Sequence, residues 1–448
     1  MRLIRLLKKD LATEVSTWVE REIISLEQAR TICRLYGVDY DEIRSRSTGY
    51  RVLVVLGFLF IGLALITVIG ANWDTIPRGV RMGGLLALTA GTHVLALRHH
   101  LSERTSLATG LFVLGNLFYG ASIILIAQIY HLGEHMPDGV FWWALGSLPF
   151  AALLRSPWLT LMSGLLALAW LYLEYQTWLL NATFLAFAFP VFLAVELYVL
   201  ARARANAFLF LTFVASLILW FQTALGTMWM DGRDRAEWSA EQVFVGAALF
   251  IAAHAAGRWL RARDGDKAKD YGALLSVWTL RLALVGMLVM SFERPWEKLL
   301  AAEWDHQASM WIVVAALTAA ALWLGSRTGV LAPLLLLTAL TGGTMVAVIV
   351  TGSHADPANL ETHAAAFQVL DNVALVAAGI WLIVHATATG ISHFFFLGVA
   401  TILLTAFLRY VDLIGDYVGG AVLFLAFAAL LLGAARFWKH RQGREVRA

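Results

Sequence analysis

One short segment of the chain has the sequence Gln-Ile-Tyr-His-Leu-Gly-Glu-His and concentrates side chains that can bind metals or transfer protons. Within it, His131, Glu134 and His135 follow the H-x-x-E-H order of inverted zinc peptidases. That chemistry requires both histidines on one helical face, together with a third ligand and a base. Gly133 inside the motif and Pro137 just after it argue against a helix. We therefore predict no catalytic residue and no metal site here, with incidental metal binding by the two histidines and an acid as the weaker alternative.

The same segment contributes Gln128, Tyr130 and His131 to the end of a polar stripe. Asn116 lies twelve residues before Gln128. Since that spacing is about three helical turns, the two side chains point in related directions. A polar stripe among membrane helices suits a ligand path, and it suits hydrogen bonding between helices equally well.

Two charged residues lie inside long apolar runs. Arg281 is near the middle of the run 273–291, where an arginine costs at least about 2.5–3.5 kcal/mol on insertion scales. Glu196 lies about one helical turn from the end of its own run. Such residues normally face protein or water, so the two side chains are candidates for pairing with each other. The alternative is that Glu196 reaches the membrane interface and Arg281 bonds to backbone carbonyls.

Two polar turns follow apolar runs, and each is either a functional site or an ordinary capped turn. Arg409 and Asp412 are three residues apart and can form an ion pair. The candidate residues of the two turns are Asn72, Trp73, Asp74, Arg409, Tyr410 and Asp412.

The composition indicates the solvent that surrounds these residues. Of 448 residues, 60% are hydrophobic and 15% charged, compared with about 45–50% and about 25% in soluble domains. The formal net charge of +3 gives no basic field for nucleic acid. The single cysteine, Cys33, excludes a disulfide within the chain and is expected to be a small buried residue.

The chain is predicted to be an all-α, polytopic transmembrane helix bundle. A spanning helix needs about 20 mostly apolar residues, and about fourteen runs approach that length. Three of them contain Pro149, Pro190 or Pro333, which we expect to kink or break their helices. The predicted spans are residues 52–71, 80–97, 107–129, 140–154, 158–173, 179–200, 208–228, 243–260, 273–291, 310–324, 330–351, 369–386, 394–408 and 421–435.

Basic residues concentrate in alternate loops, whereas acids and tryptophans concentrate in the others. Because cytoplasmic loops carry the excess of Lys and Arg, both termini are predicted to lie in the cytosol. Two outer loops, 292–309 and 352–368, are long enough for a short interfacial helix each. The domains are then a cytosolic helical region 1–50, a transmembrane domain 51–436 and a basic tail 437–448.

Residues 1–50 are predicted to form a cytosolic helical hairpin. Apolar residues recur there at three- and four-residue steps, which is typical of an amphipathic helix. Ser25 and Gln28 have the spacing of a capping box that begins a second helix. The hairpin serves either as a structural cap or as the binding site of a cytosolic protein partner.

Four stretches carry a family resemblance: Trp18-Val19 with residues 24–29, Asn72-Trp73 with Ile76-Pro77, residues 126–131, and Leu408-Arg409-Tyr410. Through them the chain resembles a bacterial family of predicted multi-pass membrane proteins of unknown function. The resemblance covers the N-terminal hairpin and the first few spans best. It implies a multi-pass membrane fold and no particular activity.

We favour transport of a small or lipid-linked solute by a protein of the bacterial inner membrane. The alternatives are a membrane enzyme that acts on a lipid-linked substrate at the outer face, and a scaffold or sensor that uses the hairpin. The enzyme hypothesis requires His131, Glu134, Asp74 or Asp412 to converge on one cleft. The chain contains no phosphate loop and no dinucleotide fingerprint. The expected partners are therefore the lipid bilayer, a small-molecule or lipid ligand and a cytosolic protein, with no cofactor and no nucleic acid.

Overall fold

A computed structural model describes most of the predicted membrane domain and part of the N-terminal region. The described residues are 15, 18–19, 21–35, 75–131, 135–176, 182–229, 239–354, 356 and 359–412. Within these ranges every regular element is helical and no strand occurs. The first and fourteenth predicted spans, the basic tail and the candidates Asn72, Trp73 and Asp74 lie outside them.

The described residues contain fourteen helices with defined bounds. They are α1 Leu26–Leu35, α2 Arg78–Leu101, α3 Thr105–Tyr130, α4 Met136–Leu154, α5 Pro157–Gln176, α6 Ala182–Arg202, α7 Ala207–Met228, α8 Ala240–Ala262, α9 Asp266–Met290, α10 Glu293–Leu300, α11 Gln307–Ser326, α12 Leu331–His354, α13 Leu360–Thr389 and α14 Ser392–Asp412.

The helix lengths confirm a polytopic membrane bundle. Ten of these helices are long and apolar enough to cross a membrane: α2, α3, α5, α7, α8, α9 and α11 to α14. The predicted spans 140–154 and 179–200 coincide with α4 and α6. Every predicted span within the described ranges therefore corresponds to one long helix.

The helices pack mainly as neighbours in sequence. The closest pairs are α2 with α3, α4 with α5, α8 with α9, and α13 with α14. Helix α7 contacts α5 and α6 on one side and α8 and α9 on the other, so it joins the two halves of the described bundle.

Glycines allow two of these pairs to approach closely. A Cβ added at Gly398 of α14 would lie 2.6 Å from the carbonyl oxygen of Gly379 in α13. A Cβ at Gly272 of α9 would lie 2.6 Å from the carbonyl oxygen of Gly257 in α8. Small residues at helix contacts are the usual means by which membrane helices gain van der Waals packing.

Several loops meet at one end of the bundle, which we name the basic end. Arg155, between α4 and α5, donates from Nε to the Tyr198 hydroxyl of α6 at 3.1 Å. Lys267, at the start of α9, donates from Nζ to the carbonyl oxygen of Ala203, between α6 and α7, at 2.8 Å. The loops after α4, α6 and α8 therefore lie together, and they carry arginine and lysine.

The opposite end, which we name the acidic end, holds the short helix α10 and the N-terminus of α8. The backbone N–H of His306 donates to Oε1 of Glu241 at 3.3 Å. Trp296 of α10 stacks on Phe367 of α13 with ring centroids 5.2 Å apart. Helix α10 confirms a short helix within 292–309. The prediction for 352–368 was wrong, because α12 extends to His354 and α13 begins at Leu360.

The prolines disturb the helices less than the sequence predicts. Helices α4 and α6 continue past Pro149 and Pro190. Pro333 lies in the first turn of α12, where the backbone N–H has no partner within the helix in any case. None of the three prolines breaks its helix.

The described part of the N-terminal region supports its second helix. The backbone N–H of Ser25 donates to Oε1 of Gln28 at 2.8 Å, and the N–H of Gln28 donates to Oγ of Ser25 at 3.3 Å. This reciprocal pair is the predicted capping box of α1. Cys33 is buried against Val15 and Ala29, as expected for a small apolar side chain.

Candidate functional site

Glu196 lies within the buried face of α6. Residues spaced three and four apart on this face, among them Phe192, Val199 and Leu200, are buried against neighbouring helices. Glu196 has the same spacing and is only 2% exposed. Neither of its carboxyl oxygens has a hydrogen-bond partner. An ionisable side chain in this position is a candidate functional residue by default.

Helices α5 and α7 provide the surroundings of the Glu196 carboxyl. A Cβ placed on Gly164 of α5 would overlap Oε1 of Glu196, and the nearest atom of any other residue would be the methyl carbon of Thr212 in α7, at 3.2 Å. The absence of a side chain at Gly164 therefore creates the space that the carboxyl occupies.

Helix α7 carries further buried polar residues between Thr212 and the acidic end. Thr212, Ser216 and Gln222 are all buried. Oγ of Ser216 and Oε1 of Gln222 have no hydrogen-bond partner. We name Glu196, Thr212, Ser216 and Gln222 the α6–α7 polar stripe.

The far end of the stripe is fixed by a reciprocal pair of amides. Nε2 of Gln222 donates to the carbonyl oxygen of Gln242 at 3.1 Å, and Nε2 of Gln242 donates to the carbonyl oxygen of Gln222 at 3.0 Å. Oε1 of Gln242 accepts from the N–H of Ser239 in the capping box of α8. The orientation of Gln222 is therefore set by the start of the next helix.

Arg281 does not belong to this site. It is half-buried on α9, and its guanidinium lies 5.3 Å from the centroid of the Trp278 ring. Its electrostatic influence falls on His393 at the start of α14. The pairing of Arg281 with Glu196 considered from the sequence is absent, because the Glu196 carboxyl has no partner.

Asn116 and the end of α3 do not form one continuous stripe. Asn116 is fully buried and donates from Nδ2 to the carbonyl oxygen of Phe112 at 2.9 Å. Gln128, Tyr130 and His131 are exposed. The relation inferred from helical spacing was wrong, because twelve residues of an α-helix rotate the side-chain direction by about 120°. The buried residue near the end of α3 is Ile129, not Gln128.

Arg409 lies beside an acid that the sequence analysis overlooked. Its guanidinium is 5.2 Å from the centroid of the Phe292 ring, and it acts electrostatically on Asp371 of α13. The neighbouring Asn372 donates from Nδ2 to the carbonyl oxygen of Ser291 at 3.3 Å. The sequence signal for this site is a pair of adjacent polar residues, Asp371 and Asn372, inside the predicted span 369–386.

The other candidates of that turn lie close to Arg409 in sequence. Tyr410 is exposed. Asp412 is the last residue of α14, and its side chain lies outside the described part of the structure.

A third polar cluster forms at the acidic end. Nδ1 of His135 is 3.1 Å from Oδ1 of Asp138, and Nε2 of His135 is 3.7 Å from Oε2 of Glu174. His131 ends α3 in a left-handed conformation, whereas His135 is the N-cap of α4. The two histidines therefore do not share a helical face, as zinc-peptidase geometry requires.

Of the four residues that the enzyme hypothesis requires to converge on one cleft, only His131 has a described side chain. Glu134 and Asp74 are outside the described residues, and the side chain of Asp412 is outside as well. Sequence reasoning also missed the partners that His135 does acquire. Asp138 follows it by three residues, which was a local signal, but Glu174 reaches it only through the packing of α5 on α4.

Comparison with known proteins supports the membrane fold. Residues 16–160 match the family described as Predicted membrane protein (DUF2157). The matched residues contain α1 to α4 and the beginning of α5, which is the part that the resemblance covers best, whereas Leu408-Arg409-Tyr410 lies outside the match. No curated protein and no solved structure matches the chain. The chain is thus a multi-pass membrane protein, and the family that residues 16–160 match carries no assigned activity.

Proposed function

We propose that the chain is a transporter of a small solute, and that Glu196 binds the solute within the membrane. The observation that carries this proposal is a carboxyl group that is 2% exposed and has no hydrogen-bond partner. A buried polar group left unpaired costs about 1–3 kcal/mol, and a charged one costs more. Such a group is retained at the expense of stability, which is typical of functional sites.

The chemistry of the stripe favours a cation, including the proton, or another small hydrogen-bond donor. The groups without partners are the carboxyl oxygens of Glu196, Oγ of Ser216 and Oε1 of Gln222. Carboxylate and amide oxygens accept hydrogen bonds and are the usual ligands of hard cations. Among the described buried side chains of α6 and α7, the unpaired groups that can donate are the indole N–H of Trp220 and the hydroxyl of Ser216, which can also accept.

The proposed orientation places the basic end in the cytosol and the protein in the bacterial inner membrane, with both termini cytosolic. Arginines and lysines, four of them stacked on aromatic rings, concentrate at the basic end and support this orientation, since cytoplasmic loops carry the excess of basic residues. Residues 1–50 then lie in the cytosol, where they are available to a protein partner, and residues 437–448 form a basic tail. The stacked pairs are Arg155 with Tyr198, Arg263 with Trp259, Lys267 with Tyr271, and Arg327 with Trp323.

Cation flux into proteoliposomes tests the proposed function. Vesicles with the purified full chain are given imposed gradients of H⁺, Na⁺ or K⁺, and an enclosed fluorescent indicator reports the flux. We expect one of the three cations to cross faster than in empty vesicles. Glu196→Gln, which keeps the size of the side chain, is expected to reduce the flux to the rate of empty vesicles.

A second variant and a control separate the site from the fold. Gly164→Ala keeps glutamate at position 196 but places a methyl group in the space of its carboxyl. The carboxyl must then move, so this variant should also reduce the flux. Gly110→Ala, on a helix face with nothing within 4 Å of the new Cβ, should transport as the unmodified chain does. Equal flux in Glu196→Gln and the unmodified chain would contradict the proposal. Flux through the unmodified chain that is no faster than in empty vesicles would contradict it as well.

A further inference from the structure

We infer that His135, Asp138 and Glu174 bind one divalent transition-metal ion at the acidic end of the bundle. Two helices bring the side chains together. His135 is the N-cap of α4, Asp138 is in the first turn of that helix, and Glu174 is in the last turn of α5. Helices α4 and α5 form one of the closest pairs of the bundle, so the arrangement is held by packing.

The distances are close to those of a metal site. One ligand atom from each residue can be chosen so that all three lie within 4.8 Å of one another. Ligand atoms about 2.1 Å from one metal ion are roughly 3.0–3.4 Å apart. The widest spacing therefore closes by no more than roughly 1.8 Å on binding. The Asp138 side chain is 70% exposed and can supply this movement without disturbing the core.

Glu174 is the fixed member of the set. Its side chain is 11% exposed, and it forms a hydrogen bond with the side chain of Trp170, one turn earlier on α5. Since the indole N–H can only donate, the carboxylate accepts. Trp170 itself is buried against Phe141 and Phe189. A carboxylate oriented by such an outer partner is a common feature of metal sites.

The donor set indicates the class of metal. One imidazole nitrogen and two carboxylate oxygens are borderline to hard ligands, which suit Mn²⁺ or Zn²⁺ better than soft, thiolate-preferring ions. Three protein ligands leave coordination positions for water or a substrate. The competing explanation is a structural clip in which His135 only hydrogen-bonds to the two carboxylates.

Metal binding by the purified full chain distinguishes the two explanations. Protein in detergent is treated with a chelator, desalted and titrated with Mn²⁺, while electron paramagnetic resonance measures the free ion. We expect about one bound Mn²⁺ per chain, displaced by Zn²⁺. His135→Ala and Glu174→Gln should each weaken binding at least tenfold, on the order of other losses in metal sites. This readout is binding, so it does not depend on transport through Glu196.

His131→Ala is the matched control, because His131 belongs to the same connection between α3 and α4 but not to the cluster. It should bind Mn²⁺ as the unmodified chain does. Asp138→Asn changes an exposed side chain, so it should leave the fold intact. Its Mn²⁺ affinity tests the site if the other variants fail to elute as folded protein. The inference is overturned if the unmodified chain binds neither ion, or if folded variants of the three cluster residues bind as tightly as it does.

Discussion

Replacing Glu196 by leucine is expected to stabilise the protein while abolishing its transport. The carboxyl group is buried among α5, α6 and α7 and has no hydrogen-bond partner. Leucine fills a similar volume without a polar atom, so Glu196→Leu removes the unfavourable desolvation and breaks no bond. Buried ionisable groups without partners are often replaced by apolar residues at a gain in stability.

The magnitude follows from the cost of an unpaired buried group. That cost is about 1–3 kcal/mol, so the free energy of unfolding should rise by the same amount. An increase of this size lowers the equilibrium constant for unfolding about five- to 150-fold. The value is a lower bound for a carboxyl that is ionised when buried, since a charge costs more.

Glu241→Leu is the matched control. Glu241 is also 2% exposed, but it accepts a hydrogen bond from the backbone N–H of His306 and lies in the first turn of α8. Its replacement removes that bond and a favourable charge at a helix N-terminus. We expect a loss of about 1–3 kcal/mol, opposite in sign to the change at Glu196.

Unfolding by sodium dodecyl sulfate in mixed micelles, followed by tryptophan fluorescence, measures both changes. Where refolding is incomplete, the unfolding rate at a fixed detergent fraction replaces the equilibrium constant. A Glu196→Leu variant that is less stable than the unmodified chain would refute the reasoning, because it would show that the carboxyl makes bonds on which the fold depends.

Three further predictions concern packing, capping and orientation. Gly120→Ala should destabilise the chain by about 1–3 kcal/mol, since its Cβ would overlap a tryptophan ring of α4; Gly110→Ala should cause no loss in the same unfolding assay, and equal effects would contradict this explanation. Ser239→Ala should cost about 0.5–2 kcal/mol through loss of the α8 cap, and an unchanged unfolding curve would show that the cap contributes nothing. In a cysteine-free background, Asp138→Cys should react with an impermeant maleimide on intact cells and Arg155→Cys only after permeabilisation; the reverse would contradict the proposed orientation.

The sequence predicts the architecture well because the membrane limits the possible structures. Backbone N–H and C=O groups in hydrocarbon must form hydrogen bonds within the protein, and a single long apolar run satisfies this requirement by forming a helix. Each predicted span within the described ranges is accordingly one helix. The effect of prolines was predicted less well, since α4 and α6 continue past Pro149 and Pro190.

The candidate site was only partly predictable, because contacts between helices depend on rotation and packing. Glu196 stood out as an acid in an apolar run, but only the structure shows that it faces Gly164 and not Arg281. Asp371 was overlooked at the edge of a predicted span. Glu174 lies 39 residues after His135 in the sequence, and nothing in the local pattern connects them.

An experimental structure of the full chain in lipid nanodiscs, at a resolution that shows ordered water, tests the central claim most directly. If Glu196 binds a solute, we expect density for an ion, a water molecule or a solute within hydrogen-bonding distance of its carboxyl, between α5 and α7. A Glu196 carboxyl bonded directly to another side chain of the protein, with no such density beside it, would contradict this role.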